Sequence, residues 1–135
     1  MELMHYPKDY LAAAAQVTGV PADLIGSALK PKRLAPVRCA IVALMTTDGF
    51  TAPQIGRLLD RAPNTIHDLR RDTKKRKWPE HIIIASDVRI LLILRADRRA
   101  RITTAIDAAI AAAVGQIRGL EKRLLADLDE LERDQ

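Results

Sequence analysis

Asn64 and Thr65 directly follow Pro63, in a stretch that ends in the run Lys74-Lys75-Arg76-Lys77. A short amide and a short hydroxyl in the first turn of a helix, with cations around them, are what the reading of duplex DNA asks for. Asn pairs bidentately with adenine, a Thr methyl touches the thymine methyl, and Lys and Arg neutralise phosphates. Arg57, Arg61, Arg70 and Arg71 extend the cationic set on both sides. Asp68 runs against this pattern, since it repels phosphate unless it accepts from a cytosine amino group or pairs with Arg71 or Arg61. Other chemistry has little to stand on. His5, His67 and His81 are isolated, with no second His or Cys at metal-ligand spacing. No Ser-His-Asp grouping and no glycine-rich phosphate loop occurs. The expectation is therefore a protein that is not an enzyme, with no cofactor, no metal site and no small-molecule substrate.

The elements that would carry these residues are punctuated by proline, glycine and capping residues. Pro7 suits a first helical position and Gly19 a stop, giving a helix over 8–18. Pro21 opens a second helix that carries Leu24, Ile25 and Leu29 until Pro31 ends it. A third, over 35–47, places Val37, Ile41, Leu44 and Met45 at helical spacing before the turn Asp48-Gly49. Thr51-Ala52-Pro53-Gln54 reads as a capping box, so a fourth helix covers 52–59. Asp60-Arg61-Ala62 is a tight link, and Pro63 starts a fifth helix with Ile66, Leu69 and Thr73 inward. Asn64, Thr65, Asp68 and Arg71 then face outward. A capped helix, a short link and a proline-opened helix have the grammar of a helix-turn-helix.

Composition agrees. The 135 residues carry a formal charge of +5 and the calculated isoelectric point is near 9.7, which favours polyanionic partners. Only four residues are aromatic, Tyr6, Tyr10, Phe50 and Trp78, so Ala, Leu and Ile must fill the core, a bias toward helix. Cys39 is the single cysteine, on the apolar side of the third helix, where a buried inert thiol is expected. No intrachain disulfide can form, and a reducing, cytoplasmic setting fits. The first residues carry no basic start before an apolar run, so no signal peptide is read there. The most apolar segment, 82–94, is short and interrupted by Asp87 and Arg89, which argues against a membrane span.

Trp78-Pro79 marks a change of texture. Before it the chain is basic; after it acidic and basic residues nearly balance. Ser86-Asp87 reads as the cap of a long helix. Ile106, Ile110, Ala113, Ile117, Leu120 and Leu124 alternate by four and three, the seam of a coiled coil. The strict heptad then puts Asp127 on the seam, while Leu128 and Leu131 offer a shifted continuation. Gly115 and Gly119 each weaken a helix by ~1 kcal/mol relative to Ala, so a hairpin near Gly115 stands beside a straight helix. Arg95, Arg98, Arg99 and Arg101 form a second basic cluster, toward DNA or toward the acidic end of a neighbouring chain.

The span 10–75 resembles the C-terminal DNA-binding domain of the bacterial replication initiator DnaA, in the Trp-repressor-like group of helical folds. Val17-Thr18-Gly19-Val20 with Leu24-Ile25 and Ser27 follows that family's opening helix pair, and Ala40, Ala43 and Leu44 its third helix. Gln54-Ile55-Gly56-Arg57 with Leu59 matches its "E-I-G" helix, and Asn64-Thr65-Ile66 the "T-T-V" that begins its recognition helix. The resemblance implies phosphate contacts from Lys30, Lys32 and Arg33, and a backbone or minor-groove contact from Arg38. It implies that Asn64 and Thr65 lie in the major groove and that Ile55, Gly56 and Leu59 only pack. The family's Asp-His pair is here Ala62-Pro63, so recognition of the initiator's own box is not expected. The initiator's nucleotide-binding domain has no counterpart.

These readings combine into an all-α protein. Residues 1–78 form a helix-turn-helix domain of about five short helices, and 79–135 a C-terminal helical oligomerisation region. Its expected DNA contacts are Lys30, Lys32, Arg33, Arg38, Arg57, Arg61, Asn64, Thr65, Asp68, Arg71, Lys74 and Lys75. The expected partners are double-stranded DNA and further copies of the chain, a homodimer or higher oligomer, in regulation of transcription or organisation of a chromosome. A small terminase-like packaging protein and a coiled-coil interaction adaptor are the alternatives.

Overall fold

A computed structural model describes residues 5–29, 31–75 and 77–134; the expectations placed on Lys30 and Arg76 lie outside these described residues. Among them there are six α-helices and no strand: α1 (Pro7–Thr18), α2 (Ala22–Ile25), α3 (Ala35–Thr47), α4 (Ala52–Leu59), α5 (Pro63–Lys74) and α6 (Glu80–Arg133), with a 3-10 turn (Lys32–Leu34) before α3. The all-α expectation holds. The chain divides into two compact units, Met1–Ala96 and Asp97–Gln135, and α6 contributes to both.

Local chemistry accounts for most boundaries. Gly19 takes the left-handed conformation at φ 73° and its N–H donates to the Ala15 carbonyl, closing α1. At α4 the Gln54 N–H donates to Thr51 Oγ1 at 3.3 Å and the Thr51 N–H to Gln54 Oε1 at 2.8 Å, the reciprocal capping that the sequence signals. Two boundaries differ from expectation. α2 is one turn and stops at Gly26, so Leu29 is not helical and is 59 % exposed. Its carbonyls are taken instead by side chains, as the interface below shows. α6 begins at Glu80, and Ser86 and Asp87 are interior positions rather than a cap. The Trp78 carbonyl starts that helix by accepting from the His81 N–H at 3.0 Å and from His81 Nδ1 at 2.7 Å.

The core of the first unit is built around α3. Val37, Arg38, Cys39, Ala40, Ile41, Val42, Leu44 and Met45 are all buried, so apolar residues cover most of its circumference and neighbours must enclose it. Ala13 and Ala14 of α1, Ile25 of α2, Ile55 and Leu59 of α4 and Ile66 of α5 supply the enclosure. Val88 and Leu92 of α6, one helical turn apart, are also fully buried. The unit therefore runs past Trp78-Pro79 to Ala96. Burial pushes the Cys39 thiol up to about 11, with the Asp72 carboxylate adding to the effect and Lys77 opposing it.

One polar cluster ties three elements together. Tyr10 of α1 is fully buried, packs edge-on to Phe50 at 5.6 Å between centroids, and donates its hydroxyl to Asp48, the residue that ends α3. Arg89 of α6 donates to the two oxygens of the same carboxylate at 2.8 and 2.9 Å. Burial alone raises the Asp48 carboxyl, but the Arg89 and Tyr10 hydrogen bonds outweigh it and hold Asp48 below its ordinary value. Because the folded-state value lies below the unfolded one, this stabilisation is complete above an unfolded Asp value of about 3.9. It is lost as pH falls through the folded value. Asp48→Asn is expected to cost about 2 kcal/mol at neutral pH, less than a fully buried pair would. Thermal melts followed by circular dichroism at pH 7 and pH 3 check both points: the wild type should lose stability toward pH 3 and the variant should lose less.

Candidate nucleic-acid interface

α5 is held by one side only. Ile66 is fully buried and Leu69 and Thr73 are half-buried. Arg70 points inward too: its Nε donates to Thr46 Oγ1 at 3.0 Å and its NH2 to the Phe50 carbonyl at 3.4 Å. It anchors α5 to the end of α3. On the opposite face Asn64, His67, Asp68, Arg71, Lys74 and Lys75 are all exposed. Asp68 pairs with Arg71 one turn on, which neutralises both in place. The pair is well exposed and adds little to stability. Thr65 is half-buried at the side of the helix, where it faces Lys32 across an open cleft of about 510 Å³.

The approach from α4 to α5 depends on two unusual residues. Asp60 ends α4 in the left-handed conformation at φ 53°, an arrangement that Asp tolerates better than most side chains. The reversal brings the Arg61 N–H to the Gly56 carbonyl at 2.8 Å. It also lays the Arg61 carbonyl so close to Gly56 that a Cβ on Gly56 would overlap it. A glycine is required there because the obstacle is backbone, which cannot swing aside. Arg57 is exposed beside this link and lines a second cleft, of about 380 Å³, with Pro63.

Two of the arginines expected at DNA are committed elsewhere. Arg38 is 4 % exposed. Its Nε donates to the Ile25 carbonyl at 3.0 Å, NH1 to Leu29 at 2.6 Å, and NH2 to Ser27 at 2.7 Å and Leu24 at 3.2 Å. The backbone or minor-groove contact implied for it is thereby corrected: its guanidinium completes the hydrogen bonds of a segment that leaves helical conformation after one turn. Burial, and then the charge of Arg61, lowers its value to about 10, so it remains a cation at neutral pH. Arg61 donates to the Ser27 and Leu29 carbonyls at 3.0 and 2.8 Å, sharing both acceptors with Arg38. It ties the α4–α5 link to the same loop and is only partly exposed.

The exposed cations that remain are Lys32 and Arg33 of the 3-10 turn, Arg57 beside the link, and Lys74 and Lys75 at the far end of α5. Lys77 lies 5.7 Å from the Trp78 ring centroid. Lys8, which sequence reasoning passed over, is exposed and lines a groove with Arg57 and Tyr6. No local signal marks it, since it belongs to α1 and meets α4 only in the fold. Residues 1–79 hold thirteen lysines and arginines against seven acids, so the excess positive charge sits in this part of the chain. Among the described residues no group of His, Cys, Asp or Glu could hold a metal ion. No helix among them is long and apolar enough to cross a membrane. No protein-family model, curated protein or solved structure matches the chain.

Two substitutions and one surface control test this geometry. Gly56→Ala is expected to destabilise the first unit by about 2 kcal/mol, the cost of forcing an atom into a packed backbone contact, read as a lower midpoint in urea. Arg38→Lys should cost about 2 kcal/mol or more, because an ammonium cannot serve four divergent carbonyls. Lys32→Ala should leave the stability within about 0.5 kcal/mol, as exposed substitutions do.

Proposed function

We propose that this chain binds double-stranded DNA, with α4 and α5 acting as a helix-turn-helix and the outward face of α5 entering the major groove. The observation that carries the reading is the attachment of α5 by one face. Ile66, Leu69 and Arg70 hold it down, while Asn64, Arg71, Lys74 and Lys75 project from the other side. Asn64 in the first turn reads a base edge, and Thr65 reaches the groove wall from the side of the helix. Lys32, Arg33, Arg57, Lys74 and Lys75 bind phosphates at both ends of α5. The resemblance of residues 10–75 to the DNA-binding domain of the replication initiator supports the same assignment, with Arg38 reassigned to the scaffold. Ala62-Pro63 in place of the family's Asp-His pair gives this chain a different target sequence.

The protein acts as an oligomer. Of the seventeen large apolar side chains left exposed among the described residues, fifteen lie on α6, more than a lone helix in water retains without a partner. Pairing two DNA-binding units raises apparent affinity through effective concentration. Regulation of transcription or organisation of a chromosome, in a cytoplasm that keeps Cys39 reduced, is the role that fits. No catalytic step and no cofactor belong to it.

Selection of bound sequences from random duplexes, followed by anisotropy titrations at several salt concentrations, tests the proposal. The native chain should bind a selected site with an affinity that falls steeply with salt, at a slope of about −0.9 per phosphate contact. Asn64→Ala should cost about 1–3 kcal/mol and relax preference at one base position. Lys74→Ala with Lys75→Ala should weaken all sequences alike and flatten the salt slope. A native chain that binds no duplex at low salt overturns the proposal.

A further inference from the structure

From Asp97 onward every described residue is exposed except Gly119. The helix here carries a seam with two ends of opposite character. Extending the four-and-three spacing of Ile106, Ile110, Ala113, Ile117, Leu120 and Leu124 in both directions places Thr103 and Arg99 on one side and Asp127 and Leu131 on the other. The charges of the two ends follow the same division. Arg98 and Arg101 join Arg99 at the start, against Asp97 alone. Asp127, Asp129, Glu130, Glu132 and Asp134 gather at the end, against Arg133 alone.

We infer that this part of α6 pairs with the same segment of a second copy in antiparallel orientation, about a two-fold axis level with Gly115. The inference rests on the oligomer reading above and is independent of DNA binding. In a two-fold interface, if residue i meets residue j of the partner, j must meet i. The seam satisfies this at every position when the axis lies at residue 115. Ile106 meets Leu124, Ile110 meets Leu120, and Ala113 meets Ile117, a small residue against a large one. Thr103 meets Asp127, where its hydroxyl donates to the carboxylate. Arg99 meets Leu131, laying its stem on the leucine and its guanidinium among the acids of the other chain's end.

The in-register parallel arrangement treats the same residues badly. It stacks Asp127 on Asp127 and Arg99 on Arg99, two like-charge layers inside the seam. It also sets Ala113 against Ala113, which leaves that layer underfilled. It brings arginine-rich start to arginine-rich start and acidic end to acidic end. The antiparallel pair has one kind of like-charge approach, Asp107 with Glu121, repeated by the two-fold axis, and both instances lie on the exposed rim where water screens them. Gly115 and Gly119 fall outside the seam, so neither interrupts the contact.

Disulfide trapping in the full chain decides the orientation. Ile106→Cys and Leu124→Cys are made singly, with buried Cys39 left in place, and oxidised separately and as a mixture. The expected result is a crosslinked dimer from the mixture and none from either variant alone. Sedimentation equilibrium of the unmodified chain should give twice 15.0 kDa or an even multiple. A spin label at Asp129→Cys supplies a second readout that leaves the seam intact. Antiparallel pairing separates the two labels by roughly 42 Å along the helix, whereas parallel pairing holds them side by side. Crosslinking of either variant to itself, a dimer in which the mixture yields no crosslink, or labels side by side overturns the orientation and leaves the oligomer reading standing. A monomer at high concentration overturns both, and neither result touches the DNA titrations.

Discussion

Four backbone carbonyls between Leu24 and Leu29 converge on the guanidinium of Arg38, and the placement of α5 follows from that convergence. α2 is too short to satisfy its own last carbonyls, and a buried carbonyl without a donor costs free energy. Arg38 supplies donors from α3, the helix that every other part of the core packs around. Arg61 then joins the same acceptors from the α4–α5 link, so one loop is fastened to two elements at once. Two cations held this close repel one another, which contributes to lowering Arg38. The shared carbonyls, negative ends of peptide dipoles, offset that repulsion. The α4–α5 link that leads into α5 is thus fixed by arginines whose hydrogen bonds go to backbone carbonyls of the preceding loop.

Much of this architecture was legible in the sequence because its signals are local. Pro7 with Gly19, Thr51 with Gln54, and Pro63 with the apolar spacing of Ile66 and Leu69 mark α1, α4 and α5 closely. Asn64, Asp68 and Arg71 face outward as helical periodicity alone predicts, whereas Thr65 is half-buried at the side of the helix. What escaped were interactions between residues far apart in the chain. Asp48 read as half of a turn signal, although it also accepts from Tyr10 and from Arg89, forty-one residues away. Arg89 read as an interruption of an apolar run. Arg38 carried a charge at a position where the family resemblance implied a ligand contact. Only the early end of α2 reveals the acceptors that claim it. Ser86-Asp87 has the composition of a cap, yet Trp78 and His81 start the helix earlier, and Val88 and Leu92 draw its first part into the core.

The two units treat their apolar residues in opposite ways. In the first, Ala13, Ala14 and Ala40 let helices approach closely, and the few large side chains fill what is left. In the second, Ile102, Ile106, Ile110, Ile117, Leu120 and Leu124 stand exposed along one helix. Charge is divided as sharply: the excess of cations lies before Pro79, and the acids crowd the end of α6. The DNA contact and the chain–chain contact proposed above would therefore draw on different stretches of sequence, and a substitution in one need not disturb the other.

Cys39 gives the molecule an internal clock. Its sulfur is buried on α3 and feebly acidic there, so a thiol reagent in solution meets it only when the first unit opens. No other native cysteine competes for the reagent. The rate of labelling consequently reports how often the first unit opens around this one site, a local opening that bulk melting does not resolve. Slowing of that rate on adding a candidate ligand would measure how far binding suppresses the opening of the first unit.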